Sequence, residues 1–148
     1  MRFTLIPLAT LLLGMSFSFV ACEEANPTLP TTFTAVLNGA NEKPSPTTSR
    51  ATGTFKAILD ETTRVLSYTI AYEGMNPTMG HLHRIDTTRT DGTGPVEIPF
   101  PSLTSPIEAS TTALTPLQIY RLKHGQFYVN LHTNQYPAGE IRGEVRTK

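Results

Sequence analysis

The chain has 148 residues, the length of a single domain. Its 12 basic residues balance its 12 acidic ones, and no Lys/Arg cluster is present to neutralise phosphates, so nucleic acid is not an expected partner. Twelve prolines, ten glycines and abundant Thr and Ser predict short strands and turns and argue against a helical bundle.

Residues 1–21 read as a signal peptide of the lipoprotein type. Arg2 supplies the positive start, and Leu5 to Val20 form an apolar run broken by Pro7 and Gly14. That run is too short for a membrane span and closes on a small residue. Its end, Phe19-Val20-Ala21-Cys22, resembles a bacterial lipobox with Phe in place of the usual Leu. Cys22 is the only cysteine, so no intrachain disulfide can form. Lipidation would remove a free thiol that is a liability outside the cell. Several acyl chains on Cys22 would make a stable membrane anchor, placing the protein in the bacterial cell envelope, facing the periplasm or the exterior. Residues 22–31 follow as a stiff polar tether with Pro27 and Pro30.

The remainder, residues 32–148, alternates in the period of strands. Strands are predicted at Thr32–Leu37, Thr52–Leu59, Val65–Tyr72, His81–Ile85, Val96–Phe100 and Ile107–Leu114. One helix interrupts them. Thr115-Pro116-Leu117-Gln118 has the capping-box arrangement, and Gly125 is placed to end the helix. So short a helix must pack on the strands, through Leu117, Ile119 or Tyr120, and Leu122. A β-hairpin closes the chain, with Phe127, Val129 and Leu131 on one face of its first strand and Tyr128, Asn130 and His132 on the other, polar face. Pro137 and Gly139 mark its turn, and Ile141 to Val145 form the return strand. Seven or eight such strands predict an all-β antiparallel sandwich with one short helix.

Chemistry centres on the histidines. His81 and His83 lie at i and i+2 in a strand, so both rings leave one face, about 6–7 Å apart at Cα. His132, on another strand, supplies a third imidazole if the two strands are neighbours. Three imidazoles suit one Cu or Zn ion. The same pattern fits histidines that are merely hydrogen-bonded to neighbours such as Asn130 or a carboxylate. Asn130, Glu140 and Arg142 are candidates for orienting the imidazoles from behind, and Glu42 is a further charge of note. His124 fits the end of the helix, where a cation is favoured. No G-x-S-x-G elbow, H-E-x-x-H helix or phosphate-cradling glycine loop is present.

The motifs FTAVLNGANEKP (Phe33 to Pro44), ATGTF (Ala51 to Phe55), GHLHR (Gly80 to Arg84), DGTGPV (Asp91 to Val96) and YVNLHTNQYPAGEIRGEV (Tyr128 to Val145) fall in the order of the CHRD domain. The resemblance covers nearly all of the chain from Phe33 onward. It implies an immunoglobulin-like or superoxide-dismutase-like sandwich, and His81, His83 and His132 fall on the family's histidine positions. In chordin such domains belong to an extracellular protein that sequesters signalling ligands. The resemblance therefore implies a non-enzymatic binding module for an unknown protein or small ligand. A mononuclear Cu/Zn metalloprotein, either redox enzyme or metal carrier, is the first rival, and a structural envelope module the second. The H-x-H strand looks like the copper-ligand strand of Cu/Zn superoxide dismutases, whose dinuclear site uses six histidines and an aspartate. With four histidines in all, this chain can hold at most one ion on three imidazoles. Arg84-Ile85-Asp86 also replaces the Gly-rich continuation usual after that motif.

Overall fold

A computed structural model describes residues 30–148. The predicted signal peptide, Cys22 and all but the last two residues of the tether lie outside the described residues. Among the described residues, no helix is long and apolar enough to cross a membrane.

Nine strands form: β1 (Thr31–Asn38), β2 (Thr52–Leu59), β3 (Leu66–Glu73), β4 (Met79–Arg84), β5 (Val96–Pro99), β6 (Ile107–Ser110), β7 (Phe127–His132), β8 (Ile141–Glu144) and β9 (Arg146–Thr147). The helix α1 spans Pro116–Lys123. Every strand pair is antiparallel, so the chain is all-β with one short helix, as its alternation predicts. The sheet order is β5-β4-β7-β8-β1-β2-β3-β6, with β9 added to β1. This is one sheet curled into a half-barrel, and its two halves face each other like the layers of a sandwich. They meet in register at a single residue pair, Asn38 with Arg142.

β2 shows the period-two rule plainly. Gly53, Phe55, Ala57 and Leu59 are buried, while Thr52, Thr54, Lys56 and Ile58 face solvent. Phe33 and Leu37 of β1, Phe55 and Leu59 of β2, and Leu66 and Ile70 of β3 build one wall of the core; Leu82, Val129, Leu131 and Ile141 build the other. Full burial of each such side chain contributes roughly 1.5–3 kcal/mol. Tyr68 joins the walls, its ring 6.0 Å from Phe55 and 5.6 Å from Phe100.

One expectation changes. The helix has both legs of its capping box, Gln118 N–H donating to Thr115 Oγ1 at 3.2 Å and Thr115 N–H to Gln118 Oε1 at 2.8 Å. It packs through Leu122 and Ile119, however, and leaves Leu117 and Tyr120 more than half exposed. A further finding bears on function. All six residues of β7 are buried, so the polar face of the hairpin is not a solvent face. Period two separates the faces of a strand, but it does not say what covers each one. Here the segments 39–51, 86–95 and 133–139 fold over Tyr128, Asn130 and His132, as their contacts below show.

Candidate metal centre

Strand register brings the three histidines together. In the β4–β7 ladder His81 pairs with Asn130, His83 with Tyr128 and Met79 with His132. Partners in register share a face, so His81, His83, Tyr128, Asn130 and His132 all project to one side. His132 lies diagonally across from His81. The ring centroids stand 5.4 Å apart for His81 and His83, 5.2 Å for His81 and His132, and 6.0 Å for His83 and His132. One nitrogen from each ring falls within 4.8 Å of the others. The β4–β5 register shifts between Leu82 and His83, the kind of irregularity that re-aims a side chain.

Two backbone carbonyls fix which nitrogens are available. His83 Nδ1 lies 3.0 Å from the Gly94 carbonyl and His132 Nδ1 lies 3.2 Å from the Pro137 carbonyl. A carbonyl only accepts, so both Nδ1 atoms carry the proton and both Nε2 atoms present a lone pair. His81 Nδ1 lies 3.3 Å from His132 Nε2, which makes His81 the donor in a bond between neutral rings. Nε2 of His83 is buried and has no partner. Tyr128 braces the arrangement. Its ring stacks on His83 at 4.7 Å, and its hydroxyl accepts from the Gly94 N–H at 3.2 Å. Gly94 must be glycine, because a Cβ there would run into the Arg84 carbonyl.

Burial sets the charge. It holds His81 and His132 below the ordinary imidazole range and pushes His83 down to about 4, the Gly94 bond offsetting only part of the effect. All three rings are neutral at pH 7, the state in which imidazole ligates a metal.

None of the three residues expected to orient the imidazoles bonds to one. Asn130 donates from Nδ2 to Glu42 Oε2 at 3.4 Å. Glu140 accepts from Ser49 Oγ at 2.7 Å and Thr133 Oγ1 at 2.5 Å, fastening two covering segments to the start of β8. Arg142 is 1% exposed. It donates to the Gly92 carbonyl at 2.8 Å and sets its guanidinium 3.5 Å from the Tyr128 ring centroid. Burial raises the Glu42 carboxyl to about 7, against the pull of Arg142. The groups that orient the imidazoles are instead the carbonyls of Gly94 and Pro137, which sequence reading passes over because any residue carries a carbonyl. The usable signal was the company they keep, the glycine-rich DGTGPV and YPAG segments. His124 accepts its expected place, bonding the Tyr120 carbonyl at 2.7 Å at the helix end.

The family model of the CHRD domain matches residues 33–145. No curated protein and no solved structure gives a significant match. The match spans more than half of the chain, and the chain belongs to the CHRD domain family, which supports a binding module of the extracytoplasmic type.

Proposed function

We propose that this CHRD-domain protein is an envelope-tethered binding module whose ligand is one copper or zinc ion, held by Nε2 of His83, Nε2 of His132 and Nδ1 of His81. The observation that carries the reading is His83 Nε2, a buried lone pair with no partner in a group of three imidazoles whose nitrogens lie within 4.8 Å of one another. Leaving a buried polar atom unsatisfied costs about 1–3 kcal/mol, and a merely hydrogen-bonded histidine face gives no reason to bear it. The spacing agrees as well. Two imidazole nitrogens on a tetrahedral ion at about 2.0–2.1 Å stand about 3.3–3.4 Å apart, and His81 Nδ1 and His132 Nε2 are 3.3 Å apart.

The donor set points to the metal. Nitrogen-only ligation suits zinc and copper, whereas calcium and magnesium want oxygen. His83 and His132 are locked with Nε2 unprotonated and bind without shedding a proton, while His81 frees Nδ1 by moving its proton to Nε2 and giving up its bond to His132. Lipidation of Cys22 would hold the module at the membrane and facing away from the cytoplasm, in keeping with the lipobox-like Phe19-Val20-Ala21-Cys22.

The test is stoichiometry. The full chain, dialysed against zinc or copper and then against metal-free buffer, retains one equivalent by elemental analysis. His83→Ala loses it while circular dichroism remains that of a β protein. Wild-type protein that retains no metal contradicts the proposal.

A further inference from the structure

The three imidazoles form a donor set without charge. Imidazole ligates a metal as the neutral ring, and among the described residues the group they form includes no Asp, Glu or Cys. Of the buried carboxylates nearby in the fold, Glu140 bonds Ser49 and Thr133, and Glu42 meets Asn130 through Oε2 and leaves Oε1 unpartnered; neither joins the three imidazoles. The one buried ion on this face that acts on the rings is positive. Arg142 pairs in register with Asn130, the residue paired with His81, and its guanidinium lies over the Tyr128 ring that stacks on His83. Two of its nitrogens, Nε and Nη1, are buried without a partner.

A divalent ion seated on three neutral ligands would keep its full double charge in a buried setting beside a guanidinium. Buried charge left unbalanced is strongly disfavoured. Three protein ligands also leave a fourth position on a four-coordinate ion. Resting on the metal reading above, we infer that the site takes its ion together with one small exogenous anion (a halide, azide or carboxylate in chemical class), which fills that position and offsets the charge. The anion arrives from the side of His81, because His81 alone of the three is partly exposed while His83 and His132 are buried. The site thus recognises a metal–anion pair and not a bare cation.

The experiment uses the full chain with Cys22→Ser and His124→Ala, which remove the thiol and the one histidine outside the cluster as competing copper ligands. Copper(II) is loaded to one equivalent in chloride-free buffer, and azide is titrated. The expected result is a new azide-to-copper charge-transfer band that saturates at one azide per copper, with a matching change in the electron paramagnetic resonance spectrum. Neither signal develops in a variant that also carries His83→Ala. Copper retained at one equivalent with no spectral response to azide leaves the metal reading standing and overturns the anion. Azide bound equally by the metal-free chain places the anion elsewhere and also overturns it. Failure to retain copper at all removes the metal reading and this inference together.

Discussion

The outward face of β7 carries two buried polar groupings a few residues apart, and they are built on opposite lines. At one end, His81, His83 and His132 bring one ring nitrogen each to a common point, with backbone carbonyls holding the far side of two rings. At the other, Glu42, Asn130 and Arg142 bury opposite charges that influence each other without forming an ion pair. The orphaned atoms there are a mixed set: Glu42 Oε1, Asn130 Oδ1, and Nε and Nη1 of Arg142. Burial is common to both ends and does not make a site. Donors of one kind, aimed at one place, do.

The charged end should give way most when cut. Arg142→Ala removes the buried cation that bonds the Gly92 carbonyl, faces Glu144 and covers Tyr128, and is expected to cost about 3–5 kcal/mol in urea unfolding. A loss below about 1 kcal/mol would show that Arg142 is not structural.

The two ends should also respond to pH with opposite sign. His83 has a folded pKa of about 4, below its ordinary 6.5. The unfolded chain then binds more protons between those values, so stability present above pH 6.5 is lost as pH falls toward 4. Glu42 has a folded pKa of about 7, above its ordinary 4.5. Its contribution is present below pH 4.5 and lost as pH rises through 7. Each amounts to roughly 3 kcal/mol at most, and in the wild type the two nearly cancel between pH 4.5 and 6.5. Glu42→Gln should therefore unmask stability that rises with pH in that window, and His83→Gln stability that falls. Matching slopes in both variants, read from urea midpoints across pH, would refute the contrast.

A smaller effect sharpens the histidine end alone. Gly94→Ala forces the loop off the Arg84 carbonyl and withdraws the acceptor from His83. Zinc affinity should fall about 10–100-fold, as it does when groups that orient ligands are lost, and titration calorimetry reads it directly. Smallest is Glu140→Gln. Its bonds go to Ser49 and Thr133, so it should cost about 1–2 kcal/mol in stability and leave metal stoichiometry unchanged.

The contrast also marks how far the sequence could be read. Alternation in β1, β2 and β3 was legible because one face of each meets the core and the other meets water. The pairing of His81 with His83 followed from the same period. What the period did not show is that the second face of β7 is covered, since Tyr128, Asn130 and His132 are as polar as a solvent face yet lie under three covering segments. Nothing in a strand's own residues reports what a distant loop will do. Leu117 and Tyr120 were misplaced for a related reason. A two-turn helix offers too few positions to show which apolar residues meet the sheet, and only Leu122 is fully buried.

The most direct test of the account is X-ray absorption at the zinc edge of the loaded full chain. Three imidazole nitrogens at about 2.0–2.1 Å, and no retained zinc to give an edge in His83→Ala, are the predicted result. A shell of oxygen or sulfur ligands, or an imidazole count indifferent to that substitution, would contradict the central claim that His81, His83 and His132 bind one ion.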